Sequence, residues 1–333
     1  MVLWIDWGQH RRSQTLARRL GVELHEICWS GARAWRYARS LFQTLKIIAN
    51  KRPQTVIATV PSIVLGYSLL FFRRWFKFKL VLDAHYFGVV APGENHLHQN
   101  LLNFLNVRAD LVIVTNESQA ESLSGMGVKT FVCQDPLPVL PESGFAGLPQ
   151  SDRTALLICS FDEDEPYEAV FEAFKDLGEQ GLTLFVSGNP KKVQIETSRF
   201  PWVRFLGFLS DADYYGYLRA CAVIIDLTTF ENCLVCGAYE ALAAGKPLVV
   251  SNSAALSAYF GNAVILTDNK SDSIRKAVLT AFAQRDELGD RIQKWVSHNG
   301  PYMDERIGSL SSRLTSLSAN APRGGLGARE REG

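Results

Sequence analysis

The sequence lacks several features that mark particular protein classes. Its six cysteines are scattered and mostly lie in apolar runs, so we expect a reducing compartment rather than a disulfide framework. It has no uncharged apolar run of about eighteen residues, and its first residues have the pattern of a strand, so we expect neither a transmembrane helix nor a signal peptide. A net charge of +1 gives no reason to expect bulk nucleic-acid binding.

Two further absences exclude particular chemistries. No Gly-x-Gly-x-x-Gly follows a predicted strand, which argues against a nicotinamide-linked dehydrogenase. Cys233-x-x-Cys236 has no second pair of ligands at matching spacing, as a zinc site would need. A redox pair of this spacing normally opens a helix after the first strand of a small domain. We therefore expect no metal and no resident cofactor.

The sequence does contain a regular alternation of short apolar runs and longer helical patterns. This alternation predicts the α/β class with doubly wound parallel sheets. The predicted strands are Val2–Asp6, Thr55–Thr59, Lys79–Asp83, Leu111–Thr115, Lys129–Cys133, Ala155–Cys159, Thr183–Ser187, Val203–Leu206, Ala222–Asp226, Leu248–Ser251 and Ala263–Leu266. The predicted helices are Ser13–Leu20, Ala32–Ala49, Ser62–Trp75, Leu97–Asn106, Ser118–Met126, Tyr167–Leu177, Asp211–Ala220, Leu234–Ala244, Ser271–Gln284 and Met303–Ser316.

The 333 residues are enough for about two domains, and a stretch rich in proline and glycine divides them. The predicted parts are an N-terminal domain over 1–136, a linker over 137–152, a C-terminal domain over 153–300, a helix over 301–318 that packs back toward the N-terminal domain, and a disordered tail over 319–333. Two similar α/β halves imply a cleft between them, and such clefts are favoured ligand sites.

The segment from Asp226 to Ser251 is the most informative part of the chain. It predicts a strand end, a loop with Glu231 and Asn232, a helix that carries Glu240, and then a turn and a new strand. This order places a helix N-terminus at the carboxyl edge of a parallel sheet, where α/β proteins hold nucleotides. A carboxylate at Glu240 suits the two ribose hydroxyls, and the helix start suits the phosphates.

This segment resembles the donor-sugar-nucleotide motif of GT-B glycosyltransferases, specifically glycosyltransferase family 4. Glu240-Ala241 and the Gly-x-Pro turn at 245–247 match the family pattern. Glu231 lies one residue too far from Glu240, and Asn232 occupies the expected spacing. The resemblance implies two Rossmann-like domains facing across a cleft, with Glu240 on the ribose and Glu231 or Asn232 on the donor sugar. It includes the adjacent Cys233 and Leu234 among the donor-binding residues.

Other segments resemble the same family. Gly188 and Asn189, followed by Lys191 and Lys192, match its glycine turn near the donor phosphates, and Phe208 follows a glycine in the loop near the nucleotide base. Family members carry an Arg and a Lys where this chain has the acidic stretch 160–166, so the two lysines or an Arg of the first domain would have to replace that phosphate clamp. We interpret the acidic stretch as the N-terminus of a helix.

The first half contributes three groups of candidates. Asp83 and His85 end a strand where some GT-B enzymes hold a catalytic His or Asp, and we favour His85. Gly8, His10 and Arg11 (or Arg12) follow the first strand, where the family loop approaches the donor phosphates and the acceptor. The stretch 67–79 mixes aromatic residues with four cations, which suits either an anionic lipid surface or a core helix with a basic end.

Together these matches predict a glycosyltransferase that moves a sugar from a nucleoside-diphosphate sugar to an acceptor hydroxyl, with retention and without a metal. His85, Asp83 and Glu231 are the catalytic candidates. The predicted partners are the nucleotide-sugar donor, a lipid-linked or saccharide acceptor and the inner face of the membrane, for a cytoplasmic or peripheral protein that binds no nucleic acid. Two alternatives stay open: a sugar-nucleotide epimerase of the same fold, and a catalytically degenerate binding subunit.

Overall fold

The computed structural model of the protein describes residues 1–60, 62–91, 93, 95–141 and 151–321. It divides into two compact units: unit 1 comprises Met1–Pro136 with Met303–Gly333, and unit 2 comprises Leu137–Tyr302. Residues 142–150 of the predicted linker and 322–333 of the predicted disordered tail lie outside the described residues. Each unit contains a six-stranded parallel sheet, which confirms the predicted α/β class with two doubly wound sheets.

Unit 1 begins the alternation of strands and helices. Its strands are β1 (Val2–Asp6), β2 (Glu23–Glu26), β3 (Thr55–Val60), β4 (Lys79–Ala84), β5 (Leu111–Val114) and β6 (Thr130–Val132). Its helices are α1 (Arg11–Leu20), α2 (Arg33–Lys51), α3 (Ile63–Phe76), α4 (Tyr86–Val89), α5 (His96–Arg108) and α6 (Glu117–Ser124). The strand order is β2-β1-β3-β4-β5-β6. The order in which strands are added to the sheet therefore reverses between β1 and β3, and such a switch point leaves a crevice at the carboxyl ends of the strands.

Unit 2 repeats the same plan. Its strands are β7 (Ser151–Leu157), β8 (Thr183–Ser187), β9 (Val203–Gly207), β10 (Cys221–Asp226), β11 (Leu248–Ser251) and β12 (Ile265–Thr267). Its helices are α7 (Tyr167–Glu179), α8 (Asp211–Ala220), α9 (Cys236–Ala243), α10 (Ala254–Phe260), α11 (Ser271–Ala283) and the first part of α12 (Arg285–Ala319). The strand order is β12-β11-β10-β7-β8-β9, so the switch point lies between β7 and β10.

Both faces of each sheet are covered by helices, which explains why the central strands are continuous apolar runs. In unit 1, α2, α3, α5 and α6 pack on one face, while α1 and the last part of α12 (from Met303) cover the other. In unit 2, α7 and α11 cover one face, and α8, α9 and α10 cover the other. No helix in the described ranges is long and apolar enough to cross a membrane.

The structure differs from the predicted elements in several places. The four-residue α4 was not predicted, and β7 is Ser151–Leu157 rather than Ala155–Cys159, so it begins inside the predicted linker. β2 was not predicted, because its sequence ELHE is a short, half-exposed edge strand without an apolar run. The seven-residue α10 was also not predicted. α9 begins at Cys236 rather than Leu234, because residues 227–235 form a loop. The predicted helix at 303–316 is the end of the single helix α12, which continues through Pro301.

Candidate functional site

Two loops meet at the switch point of unit 2. β7 and β10 are neighbours in the sheet, so the loops 158–166 and 227–235 leave the same edge. Thr228 Oγ1 donates a hydrogen bond to the Asp164 carboxylate (2.6 Å), and the Thr229 N–H donates to the Asp164 carbonyl (2.7 Å). The acidic stretch and the loop with the predicted sugar-side residues therefore flank one crevice.

Glu240 lies in the second turn of α9, and only 6% of its surface is exposed. The hydroxyl of Tyr214, on α8, donates a hydrogen bond to Glu240 Oε2. The loop before the helix contains three predicted donor-side residues that are partly buried, namely Asn232, Cys233 and Leu234. The predicted ribose ligand is thus held in a defined position close to the N-terminal end of the helix that the motif predicted.

Asp226, at the end of β10, is absent from the predicted site residues. Burial raises the pKa of Asp226 well above its ordinary value, and the carboxylates of Glu165 and Glu240 raise it further. Asp226 accepts a hydrogen bond from the backbone N–H of Ala238, but its Oδ2 has no hydrogen-bond partner among the described residues. A Cβ at Gly237 would lie 2.5 Å from this oxygen. These surroundings favour the protonated form of Asp226, which packs against the start of α9. A carboxyl group at the end of an apolar strand is the sequence pattern that would identify it.

The acidic loop after β7 is organised by Glu165. Its carboxylate accepts hydrogen bonds from the backbone N–H groups of Ser160 and Asp162, both at 2.9 Å, and from the Cys159 thiol at 3.3 Å. The stretch 160–166 was interpreted as the N-terminus of a helix, but it forms a loop and α7 begins only at Tyr167, directly after Pro166. The reason is that Glu165 accepts N–H groups of its own loop rather than those of the helix. Because the loop contains no Lys or Arg, it offers no cation to a phosphate.

Gly188 lets the turn after β8 approach the loop after β7 closely. Its φ of +82° is in the left-handed region, and a Cβ at this position would overlap the carbonyl oxygen of Cys159. Asn189 then caps a single helical turn, because its side chain accepts a hydrogen bond from the N–H of Lys191 (3.1 Å). Only a residue without a side chain fits at Gly188, as the predicted glycine turn requires.

Lys192 already has an anionic partner in this structure. Its Nζ lies 2.5 Å from Asp162 Oδ1 and donates to the carbonyl of Ser160 at 3.2 Å. Both charged side chains are about half exposed, and exposed ion pairs of this kind contribute little to stability. Lys192 can therefore exchange Asp162 for another anion at small cost.

Phe208 is 92% exposed in the loop that joins β9 to α8. It follows Gly207, which has a φ of +72°, and precedes Ser210, which caps α8 by accepting the N–H of Asp213 at 3.2 Å. The turn therefore presents the ring to solvent beside the start of a helix. An aromatic ring in this position offers a flat face for stacking.

Glu231 is exposed, and its Oε1 accepts a hydrogen bond from the backbone N–H of Ala254 at 2.9 Å. That N–H belongs to the first turn of α10, where Ser253 also accepts from Leu256 at 3.3 Å. The carboxylate of Glu231 thus contacts the start of a helix that was not predicted. This contact connects the loop after β10 with the segment after β11.

Asp83, the penultimate residue of β4, is fully buried and forms an ion pair with Arg12 of α1 at 3.0 Å. Arg12 also pairs with Asp135. Burial alone would raise the pKa of Asp83, but Arg12 and His85 outweigh burial and lower it to about 2. Arg12 is therefore the buried cation of α1, whereas the predicted Arg11 is exposed.

His85 lies directly after β4, with its Nε2 3.3 Å from Asp83 Oδ2, and its ring centroid is 5.3 Å from that of His10. His10 Nδ1 is 2.7 Å from Asp6 Oδ2, and this hydrogen bond raises the pKa of His10 despite the opposing effect of burial. A Cβ at Gly8 would lie 2.8 Å from the His10 ring. Unit 1 thus brings together His85, Asp83 and His10, and Gly8 leaves room for the His10 ring.

A cavity of about 290 Å³ opens at the switch point of unit 1. Asp6 at the end of β1 and Thr59 near the end of β3 both line it. Its other walls combine aromatic rings and polar groups, including Trp7, Trp29, Tyr37, His10 and Arg36. Aromatic faces beside hydrogen-bonding groups suit a polar ligand that also has an apolar surface.

The two cysteines of the C-x-x-C sequence are thiols that differ in exposure: Cys233 is partly buried and Cys236 is exposed. Across the described part of the chain, no three or more His, Cys, Asp or Glu side chains form a cluster that could hold a metal ion. The predictions of no metal and no resident cofactor stay predictions.

No protein-family model matches the sequence, and no curated protein matches it. Solved structures do share its fold. The sucrose-phosphate synthase of Thermosynechococcus elongatus superposes with a TM-score of 0.74 at 14% identity, over 95% of this chain and 99% of that one. Anabaena HepE in complex with UDP-glucose superposes with a TM-score of 0.69 at 13% identity, over 95% of this chain and 99% of that one. The UDP-GlcNAc 2-epimerase of Methanocaldococcus jannaschii superposes with a TM-score of 0.57 at 13% identity, over 90% of this chain and 100% of that one.

These similarities extend over nearly the whole of each chain, so they confirm the predicted GT-B fold. At identities this low they establish the fold alone, because one fold supports several reactions. Membership of glycosyltransferase family 4 stays a prediction.

Proposed function

We propose that this protein is an enzyme that binds a nucleoside-diphosphate sugar at the switch point of unit 2 and transfers the sugar to an acceptor hydroxyl. The observation that carries the proposal is the placement of Glu240, which is buried on α9 beside that switch point and held by Tyr214. A carboxylate there suits the ribose hydroxyls, and the N–H groups at the start of α9 suit the diphosphate. Anabaena HepE, with the same fold, is described in complex with UDP-glucose.

The rest of the donor site follows from the neighbouring loops. Phe208 offers its exposed ring to the base, and the Gly188 turn lets backbone approach a phosphate. Family members bind the diphosphate with an Arg and a Lys that this chain lacks. In their place, Lys192 would exchange its ion pair with Asp162 for one with the diphosphate. Charge that develops on the departing diphosphate is then stabilised by a helix N-terminus and a lysine, which fits a reaction without a metal.

On the acceptor side, we propose that the cavity of unit 1 binds a sugar ring. Trp7, Trp29 and Tyr37 supply flat apolar faces, and Asp6 and His10 supply hydrogen bonds to hydroxyls. The acceptor is lipid-linked or a saccharide. The proposed location is the cytoplasm, with peripheral contact at the inner face of the membrane.

His85 remains the candidate for contact with the reacting sugar, where it would position the acceptor or stabilise charge. Asp83 is fully buried and paired with Arg12, so we assign it the task of orienting His85. Glu231 would reach the donor sugar only by leaving the N–H of Ala254, and the partly buried Asn232 is the alternative. Retention of configuration is part of the proposal and follows from the family resemblance.

A first test measures donor binding. Thermal shift with UDP, GDP, ADP, CMP and their sugar conjugates should show stabilisation by one nucleotide. Glu240→Ala should weaken its binding by about 100-fold or more, since it removes two hydrogen bonds to a charged group. Glu172→Ala, an exposed glutamate on α7, is the matched control and should bind like the wild type. Stabilisation by no nucleotide, or equal binding by Glu240→Ala, would contradict the donor site.

A second candidate function is epimerisation of a sugar nucleotide, which is favoured by the shared fold of the Methanocaldococcus jannaschii epimerase. NMR of the bound nucleotide sugar without acceptor separates the candidates. An epimerase forms a new sugar nucleotide, whereas a transferase forms at most free sugar and nucleoside diphosphate by slow hydrolysis. A degenerate binding subunit leaves the donor unchanged even when an acceptor is added.

A further inference from the structure

Three neighbouring helices of unit 1 expose an unusual number of apolar side chains. α2, α3 and α5 pack on the same face of the sheet, and α3 contacts both of the others. Nine of the eighteen exposed large hydrophobic residues in the described ranges lie on these three helices. The most prominent are Trp35 and Phe42 on α2, Phe71 and Trp75 on α3, and Leu97 and Phe104 on α5. We call this surface the aromatic-basic face.

Basic residues outnumber acidic ones in the same region, although Lys51 pairs with Glu23, and Arg73 and Lys79 pair with Asp110. Between Glu26 and Asp83 the chain contains ten Lys and Arg residues and no Asp or Glu, and α5 contains no acidic residue either. The whole chain is nearly balanced, with 35 basic and 34 acidic residues. The positive charge is therefore concentrated on the part of unit 1 that also exposes the aromatic residues.

Cations and aromatic rings on this face are arranged in pairs. The Arg39 guanidinium lies over the rings of Trp29 and Trp35, at 5.0 and 4.8 Å from their centroids. The Tyr67 and Phe104 rings stack at 6.1 Å and join α3 to α5. These contacts hold the exposed rings in fixed positions in the absence of a partner. The entropy cost of ordering them on binding is correspondingly reduced.

We propose that the aromatic-basic face docks on a bilayer that contains anionic phospholipids. Tryptophan and phenylalanine side chains insert at the level of the headgroups, and Lys and Arg are attracted to negatively charged lipids. A second copy of this chain does not fit, because it presents the same positive charge. A nucleic acid does not fit either, because the exposed aliphatic residues of α5, such as Leu97 and Val107, would have no partner on it.

This proposal rests on the proposed function. Docking on a membrane favours the lipid-linked acceptor over the free saccharide. A groove of about 580 Å³ runs along α2, lined by Trp35, Phe42, Arg39 and Lys46. Trp29 lines both this groove and the cavity that contains Asp6 and His10. An amphiphile can therefore keep its apolar chain at the lipid surface and place its polar head in the proposed acceptor cavity.

The experiment is flotation of the full chain with vesicles of phosphatidylcholine, with or without one third phosphatidylglycerol. Two variants test the face: Lys46→Glu with Arg74→Glu, and Phe42→Ser with Trp75→Ser, all at exposed positions. The matched control makes the same change of charge in unit 2, with Lys175→Glu and Lys276→Glu on exposed sites of α7 and α11. Thermal unfolding verifies that each variant is folded, and nucleotide-induced thermal shift verifies the donor site.

We expect the wild type to bind the anionic vesicles and to be released by high salt. Both face variants should bind at least tenfold more weakly, and the unit 2 control should stay within twofold of the wild type. The proposal is overturned if the wild type does not bind anionic vesicles, if it binds neutral vesicles equally, or if either face variant retains the binding of the wild type. Because nucleotide-induced stabilisation is measured on the same samples, loss of membrane binding is distinguished from failure of the donor site.

Discussion

At the scale of single residues, Asp226 is a buried carboxyl group whose surroundings raise its pKa. Burial and two nearby carboxylates, Glu165 and Glu240, favour its protonated form. One of its oxygens accepts the Ala238 N–H, so the strand residue performs the capping that Val235, the N-cap of α9, does not provide with its own side chain. A neutral acid also leaves Glu240 without a second full negative charge beside it. Protonation of Asp226 thus lowers the electrostatic cost of burying the Glu240 carboxylate near the proposed ribose position.

Replacing Asp226 with Asn should stabilise the protein at pH 7, because folding of the wild type must protonate the carboxyl group whereas the amide needs no proton. The gain is about 1.4 kcal/mol for each pH unit by which the folded-state pKa exceeds the unfolded value, up to pH 7. The pKa of Asp226 is raised in the folded state, so the wild type loses stability as pH rises above the unfolded value near 3.8. Urea unfolding at pH 7 and pH 3 measures both effects. The difference between Asp226→Asn and the wild type should vanish at pH 3, where Asp226 is protonated in both states.

Asp6→Asn is a control for which we expect the opposite change in stability at pH 7. Burial raises the pKa of Asp6, but hydrogen bonds from His10 and Ser13 outweigh burial and lower it. The ionised carboxylate is therefore stabilised by folding, and Asp6→Asn should destabilise the protein at pH 7. If Asp226→Asn also destabilised the protein at pH 7, the assignment of Asp226 as a neutral acid would be wrong.

At the scale of elements, the donor site depends on how closely two strand-to-loop turns approach each other. The turn after β8 touches the backbone after β7 because Gly188 has no side chain to separate it from Cys159. This contact brings the turn with Lys191 and Lys192 to the acidic loop, where Lys192 pairs with Asp162. The close contact of these two segments therefore depends on the absence of a side chain at Gly188.

We expect Gly188→Ala to lower stability and to weaken nucleotide binding, because the methyl group would overlap the Cys159 carbonyl and force the two turns apart. A clash with backbone in a packed region costs about 1–3 kcal/mol, in addition to about 1–2 kcal/mol for a left-handed alanine. Gly207→Ala is the matched control, since Gly207 has a φ of +72° but nothing within 4 Å of a Cβ. Thermal unfolding of both variants separates the two costs, and equal losses of stability would show that the close approach does not matter.

At the scale of the whole molecule, the two units bury acidic groups in opposite ways. Unit 1 buries Asp83 in its ionised form, with a pKa of about 2, because Arg12 lies beside it. Unit 2 buries Asp226 beside other carboxylates, which raise its pKa and favour the neutral form. Arg12 also donates to the carbonyl of Cys133 at 2.8 Å, and so joins α1, β4 and the segment after β6. Unit 1 is accordingly the unit whose stability depends on an intact buried ion pair.

Arg12→Gln should destabilise unit 1 by about 3 to 5 kcal/mol at pH 7, because it leaves Asp83 buried without its cation. The pKa of Asp83 is lowered in the wild type, so the pair contributes its full stability above about pH 3.8 and loses it as pH falls toward 2. The cost of Arg12→Gln should therefore shrink as the pH is lowered through this window. Chemical unfolding at several pH values measures it, with the exposed Arg18→Gln on the same helix as control. A cost that does not change with pH would contradict an ionised Asp83.

The sequence by itself determined the order and bounds of many elements. The predicted strands Val2–Asp6, Thr183–Ser187 and Leu248–Ser251 and the predicted helix Asp211–Ala220 have the same bounds in the structure. These elements depend on local periodicity and on turn residues, which a single stretch of chain contains in full. The order of strands and helices also determined that both sheets are parallel and doubly wound.

Only the tertiary structure decided which polar residues meet, and in which charge state. Arg12 pairs with Asp83, 71 positions away, and Glu231 contacts the start of α10, which the sequence did not predict. The protonated form of Asp226 is favoured because burial removes water from its carboxyl group and because Glu165 and Glu240 lie close to it. Charge state depends on solvent exposure and on neighbours from distant parts of the chain, and neither is encoded in a local pattern.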